Sequence, residues 1–268
     1  MIKLCTIDLD GTLFDNQKKI SQENKIAIEN AKKLGCKIVI ATGRPMSGVL
    51  PVLQELYLLN EDDYVICYNG AKILKVQSNE VIFASTLDGK SAKELYALSK
   101  KLKTNYHAFR LNEELITDMH NPYTDKEASL NKINDIIVDF KNIKDSDLFI
   151  KCMMVGSSDT LDTAFNQLPS DILKTYSVVR SSPIFLEFLN KNSHKGAALE
   201  ILANHLGISM NETMAIGDAG NDLEMIRRAG IGVAMKNSFK EILYEADFIT
   251  TSNEESGVAF ALNHFLNK

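Results

Sequence analysis

Leu4-Cys-Thr-Ile-Asp-Leu-Asp-Gly-Thr-Leu13 opens the chain with a short apolar run that ends abruptly in two carboxylates and a Gly-Thr pair. Leu4 to Ile7 read as a buried strand, and the polar cluster that follows marks where it stops. The arrangement recurs twice: Lys37-Ile-Val-Ile-Ala41 runs into Thr42-Gly-Arg44, and Thr213-Met-Ala-Ile-Gly217 runs into Asp218-Ala-Gly-Asn-Asp222. Other strands are read at 64–68, closed by the Asn69-Gly70 turn signal, and at 231–234 and 248–250. Helical segments lie between them. Ser21 is placed to cap a helix carrying Ile26, Ala27, Ala31 and Leu34, which Gly35 stops. Further helices are read from Lys195 to Leu206, from Leu223 to Ala229 and around Glu241, while Ser209 and Glu212 have capping-box spacing in what reads as a short turn. Strands alternating with helices predict an α/β fold, a Rossmann-like core with a parallel sheet covered on both faces.

The segment 83–190 has a different rhythm. A helix from Ser91 to Leu102 precedes strand-like runs at 106–109, 114–117, 148–155, 176–179 and 184–189. Adjacent strands interspersed with helices predict an α+β unit with an antiparallel sheet, inserted into a core made of residues 1–82 and 191–268.

Composition narrows the function classes. The 268 residues are 45% hydrophobic and 24% charged, which excludes a disordered or collagen-like chain. With 30 Lys+Arg against 35 Asp+Glu the net charge is −5, so the basic footprint of a nucleic-acid binder is missing. No apolar run reaches the ~20 residues that span a bilayer, and the amino terminus does not read as a secretory leader. Cys5, Cys36, Cys67 and Cys152 each lie in an apolar stretch without CxxC spacing, which predicts buried free thiols and a cytoplasmic protein. EF-hand, P-loop, dinucleotide, GxSxG and HExxH patterns are absent.

In open α/β sheets ligands bind beyond the carboxyl ends of the strands, where Asp8, Asp10, Thr42, Asp218 and Asp222 would gather. Several carboxylates crowded together resist joint ionisation unless a cation intervenes. Oxygen ligands of this kind suit Mg²⁺. Lys195, opening a helix, and Thr42 would then hold a phosphate, as phosphoryl transfer requires. Asp8 is placed to act as nucleophile, with Asp10 carrying a proton for the leaving group. Arg44 reads equally as a second anion contact or as a salt-bridge partner. His194 reads as a helix cap or hinge residue, and Glu187 as the product of strand alternation or as a hinge contact. Tyr106, His107, Arg110, His120 and Tyr123 are candidates for contacting the organic part of the ester.

Asp8-Leu-Asp-Gly-Thr12, Thr42-Gly-Arg44, Lys195 and Gly217-Asp-Ala-Gly-Asn-Asp222 together resemble the four motifs of the haloacid dehalogenase (HAD) superfamily. The long insertion is similar to the type IIB cap of Cof-type phosphatases. Tyr68-Asn-Gly-Ala71, Lys151-Cys-Met-Met154, Ser182-Pro-Ile-Phe-Leu-Glu187 and Gly257-Val-Ala-Phe260 resemble the YidA-like sugar-phosphatase branch. The resemblance implies a Mg²⁺-dependent phosphomonoesterase working through a phosphoaspartyl enzyme. In it Asp8 is nucleophile and metal ligand, Asp10 is general acid/base with its backbone carbonyl on the metal, and Asp218 completes the metal site. Thr42, Gly43, Arg44, Lys195 and Asn221 would bind the phosphoryl group, and Asp222 would support either a metal-bound water or Lys195. A small phosphate ester is the expected partner of a monomer or homodimer, with the inserted unit acting as a lid that selects the leaving group. A hexose-phosphate mutase and a non-catalytic sensor of phosphorylated metabolites are the competing readings.

Overall fold

The computed structural model describes residues 1–266. The chain forms two compact units, residues 1–83 with 194–268, and residues 84–193. The second seam lies three residues beyond the expected 190/191 for a local reason. Ser193 N donates to Asn190 O at 2.8 Å and Asn192 N to Asn190 Oδ1 at 3.2 Å, folding 191–193 back onto the strand Phe185–Asn190.

The first unit is built on an eight-stranded sheet. Its spatial order is Phe248–Ile249, Ile231–Ala234, Thr213–Gly217, Leu4–Ile7, Lys37–Ala41, Tyr64–Cys67, Lys72–Lys75 and Val81–Ala84. The first six run parallel, and Lys72–Lys75 returns antiparallel against Tyr64–Cys67. Central strands such as Leu4–Ile7 are buried at every position, as a sheet covered on both faces demands. Leu4, Val39, Ala41, Ile66 and Ala215 pack with Ala198, Leu199 and Leu202 of the helix Lys195–His205. Truncating a buried leucine costs about 2–5 kcal/mol, so this packing holds the start of that helix firmly against the sheet.

The helix Gln22–Lys33 is capped as expected, with Ser21 Oγ accepting from Asn24 N at 3.2 Å. Its buried face is displaced from the predicted stripe: Asn24, Ala27, Ile28 and Ala31 are buried, whereas Ile26 and Leu34 are half exposed. The cause is tertiary. Asn24 Oδ1 accepts from Ala259 N at 2.8 Å, tying the helix to Gly257–Leu266.

The second unit has a mostly antiparallel sheet ordered Tyr176–Ser182, Phe185–Asn190, Leu148–Val155, Asn105–Arg110, Leu115–Thr117 and Asp135–Ile137. The short strand Leu87–Asp88 joins Leu148–Val155. On one face Tyr106, Ala108, Cys152, Met154, Leu186 and Phe188 pack with Leu95 and Leu161 from helices. Strand alternation puts His107, Phe109, Lys151, Met153 and Glu187 on the other face, also buried. There Lys151 Nζ bridges Glu187 Oε1 at 3.2 Å and Glu127 Oε1 at 3.4 Å, so Glu187 belongs to a buried ion cluster within this unit.

Two of the expected substrate contacts are interior residues instead. Tyr106 is fully buried with its hydroxyl donating to Ala92 O at 2.9 Å, and His107 Nδ1 lies 2.9 Å from Thr124 Oγ1. Arg110 pairs with Glu114 at 3.2 Å, His120 stands 3.1 Å from Asp135, and Tyr123 is half-buried in the first turn of Pro122–Asn131. All four cysteines are buried free thiols.

Candidate active site

Strand register gathers the three polar segments. Ile7 pairs with Ile40 on one side and with Ile216 on the other, and neighbouring strands lie about 4.8 Å apart. Asp8, Thr42 and Asp218 therefore leave the sheet side by side at its carboxyl edge. Asp8 N donates to Ile216 O and Thr42 N to Ile66 O, both at 2.9 Å, extending the ladder to the site itself. Gly11 turns the chain there with φ +88°, and a Cβ on it would stand 2.5 Å from Asp218 Oδ2. Thr12 Oγ1 donates to Asp218 Oδ1 at 3.0 Å, orienting that carboxylate.

Lys195 comes from a distant part of the chain and is fully buried. Its Nζ donates to Asp8 Oδ1 at 2.5 Å and to Asp222 Oδ1 at 2.6 Å. His194 begins the helix, its ring Nδ1 accepting from Ala197 N at 3.1 Å, so it is a cap. Burial, reinforced by the Arg228 charge, lowers the His194 pKa and favours the neutral ring that such an acceptor needs. Asp222 Oδ2 accepts from Asp218 N at 3.0 Å and Ala219 N at 3.1 Å. Both oxygens of Asp222 are thus engaged, one of them by Lys195.

The electrostatics follow from this geometry. Burial, then the Asp222 and Asp218 charges, push the Asp8 carboxyl up to about 8 against the pull of Lys195. Burial and Asp222 likewise push Asp218 up to about 6, against its bond from Thr12. For Lys195 burial opposes charge, but Asp222 and Asp8 outweigh it and hold the ammonium form. Oxygens of Asp8, Asp218 and Asp222 lie within 4.8 Å of one another. Asp222 gives both oxygens to Lys195 and the backbone, whereas Lys195 and Thr12 each take one oxygen of Asp8 and of Asp218, so these two carboxylates could hold a divalent metal through the other.

Asp10 stands apart from that cluster. Arg44 grips it with two bonds, Nε to Oδ2 at 3.1 Å and Nη2 to Oδ1 at 2.8 Å, and Lys18 Nζ adds a third at 2.5 Å. Burial works the other way, yet Arg44 and Lys18 hold the Asp10 carboxyl below its ordinary range. The salt-bridge reading of Arg44 finds its partner in Asp10, and the guanidinium lies 5.4 Å from the Phe14 ring centre. Thr42 Oγ1 accepts from Arg44 N at 3.2 Å, and Gly43 lies between them at the strand end. Asn221 Nδ2 donates to Asn69 Oδ1 at 3.0 Å. Lys18, Thr12 and Asn69 were not anticipated as site residues. Thr12 and Asn69 did carry signals, Thr12 as the last residue of Asp8-Leu-Asp-Gly-Thr12 and Asn69 as half of an Asn-Gly turn whose backbone role hid its side chain, whereas Lys18 carried none.

A buried lysine clasping the aspartate that follows Leu4–Ile7, at the carboxyl edge of a parallel sheet, is an arrangement suited to handling a phosphoryl group. The chain belongs to the haloacid dehalogenase-like hydrolase family, whose model matches residues 5–262, and it is a phosphatase, a phosphoric monoester hydrolase, of that family. It is 40% identical to "Putative phosphatase YxeH" of Bacillus subtilis, over 99% of each chain. It is 31% identical to the 5-amino-6-(5-phospho-D-ribitylamino)uracil phosphatase YcsE of Bacillus subtilis, over 99% of this chain and 96% of that one. Among solved structures, a haloacid dehalogenase-like hydrolase from Bacteroides thetaiotaomicron superposes with a TM-score of 0.86 at 33% identity, covering 98% of this chain and 99% of that one. A HAD subclass IIB sugar phosphatase superposes with a TM-score of 0.81 at 29% identity, covering 98% of each chain.

Proposed function

We propose that the chain is a Mg²⁺-dependent hydrolase of small phosphomonoesters, sugar phosphates among them, working through a phosphoaspartyl intermediate on Asp8. The observation that carries this reading is the bridge from Lys195 to Asp8 and Asp222 beside the Asp218 carboxylate. The raised Asp8 and Asp218 pKa values mark a cluster short of positive charge, which a hard dication fits. Asp8, Asp218 and the Asp10 backbone carbonyl would hold Mg²⁺, which when bound supplies charge to the non-bridging phosphoryl oxygens.

Asp8 presents a carboxylate oxygen to phosphorus, held in place by Lys195 on its other side. As the P–O bond to the leaving group breaks, Asp10 gives that oxygen its proton and Asp8 carries the phosphoryl group. Water then attacks the same phosphorus while Asp10 takes up its proton, releasing inorganic phosphate and regenerating Asp8. The ion pair with Arg44 and Lys18 keeps Asp10 in the base form that the second step uses. Donation in the first step requires that this pair open and Asp10 be protonated. Thr42, Gly43, Lys195 and Asn221 line the phosphoryl position, and Arg44 lies at its rim through Asp10. The second unit, residues 84–193, supplies none of these groups, and leaving-group choice is assigned to it. Polyhydroxylated leaving groups are favoured because relatives are named for a sugar ester and a phosphoribityl ester.

Phosphate release from a panel of phosphomonoesters, with Mg²⁺ and with a chelator, tests the proposal. Turnover should require the metal, rank sugar phosphates high and vanish in Asp8→Asn on every ester. Metal-independent turnover, an active Asp8→Asn protein, or isomerised sugar phosphate in place of free phosphate would refute it.

A further inference from the structure

Tyr68, Asn69 and Gly70 follow the strand Tyr64–Cys67 and all have left-handed backbone, with φ of 53°, 55° and 96°. Tyr68 is fully buried and Asn69 nearly so. A turn back to Lys72–Lys75 accounts for the positive φ values. It does not account for the Asn69 side chain, which points at the phosphoryl-binding groups.

Three parts of the site meet on this turn. Asn69 N donates to Thr42 O at 2.9 Å and Tyr68 N to Arg44 O at 3.2 Å, so the turn carries the Thr42-Gly43-Arg44 segment. A Cβ on Gly70 would stand 2.4 Å from His194 O and 2.9 Å from Lys195 N, so the turn packs against the start of the lysine's helix. The Asn69 amide fills the space between Gly43 and Asn221. A Cβ on Gly43 would stand 3.1 Å from Asn69 Nδ2, and Asn69 Oδ1 accepts from Asn221 Nδ2 at 3.0 Å.

We infer that Asn69 is a positioning residue that makes Asn221 present N–H rather than C=O to the phosphoryl group. An asparagine amide can turn over and exchange a donor for an acceptor. An amide oxygen facing a phosphate oxygen is repulsive, whereas an N–H is a ligand. Because Asn69 offers Asn221 an acceptor, one N–H of Asn221 is taken, the amide plane is fixed, and the second N–H remains for the anion. This assignment rests on the phosphatase reading and adds to it a residue that acts on the phosphoryl end of every ester.

Asn69→Gly separates side chain from backbone, since glycine adopts the left-handed conformation freely. Thermal melts should match wild type within a few degrees. kcat/KM should fall about 10- to 100-fold, as displacement of a binding group does, by the same factor for esters with different leaving groups. Inhibition by inorganic phosphate should weaken in parallel. Asn221→Ala should lose activity similarly, and the double variant should be no worse than Asn221→Ala alone, because Asn69 acts through Asn221. Unchanged kinetics in Asn69→Gly, strictly multiplicative losses in the double variant, or losses confined to one leaving group would overturn the assignment. A wild-type protein that releases no phosphate from any ester defeats the phosphatase reading instead. Asn69 is then judged by calorimetric binding of inorganic phosphate, which must be weaker in Asn69→Gly than in wild type.

Discussion

Lys195→Met removes the ammonium and keeps most of the stem, which makes it the sharpest probe of the site's electrostatics. The ammonium is fully buried between Asp8 and Asp222, and the carboxylate oxygens it separates lie within 4.8 Å. Two like charges at that distance repel by about 3.5 kcal/mol at an effective dielectric constant near 20. Breaking a buried ion pair by removing one partner costs roughly 3–5 kcal/mol. Asp222 retains its bonds from Asp218 N and Ala219 N, which places the loss near the lower end, about 3 kcal/mol. Asp8 softens the loss by holding a proton, and its carboxyl is already raised to about 8 with the lysine present. The cost is therefore smaller at pH 6, where Asp8 in the variant is neutral and the loss is that of the cation beside Asp222, and it grows towards pH 9 and above as Asp8 is driven towards its charged form. Urea melts in chelator at both pH values measure this, and adding Mg²⁺ should recover part of the stability. Equal stability of variant and wild type at pH 9, or a larger loss at pH 6 than at pH 9, would refute the charge argument.

Two further outcomes follow from particular contacts. His107 is fully buried, and burial followed by the Lys151 charge lowers its pKa to about 3. Its folded pKa lies below the unfolded value of 6.5, so its contribution is whole above pH 6.5 and drains away as pH falls towards 3. Over the two pH units down to 4.5 that is about 2–3 kcal/mol, and the stability gap between wild type and His107→Gln should narrow by that amount in urea melts. A constant gap would show that the ring is not held neutral. Gly11→Ala places a Cβ 2.5 Å from Asp218 Oδ2 at a backbone φ of +88°. The Mg²⁺ concentration for half-maximal phosphate release should rise several-fold, and an unchanged metal requirement would mean that Asp218 is not a ligand.

Much of this molecule could be read along the chain. Leu4–Ile7, Lys37–Ala41 and Thr213–Gly217 are local patterns, because a strand buried on both faces must be apolar throughout. The polar residues that end each strand were visible for the same reason, as were the Ser21 cap and the capping box of Ser209 and Glu212. Parallel connectivity then requires those ends to share one edge, so the convergence of Asp8, Thr42 and Asp218 follows from strand order. Other features depended on partners far away in sequence. Ile26 and Leu34 fit a helical stripe yet face solvent, because Asn24 is claimed by Ala259 across 235 residues. Tyr106 and His107 looked like surface recognition groups, but strand alternation and packing put both inside the second unit.

Composition and local pattern by themselves determined the strands, the caps and the residue types at the sheet edge, since each is a matter of neighbours a few positions apart. Which charge pairs with which was decided by the tertiary structure alone. Asp222 anchors Lys195, Arg44 and Lys18 hold Asp10, and Asn69 steers Asn221 because a hydrogen bond depends on distances of a few tenths of an ångström between side chains. Such distances are set by packing, and residue order along the chain does not encode them locally.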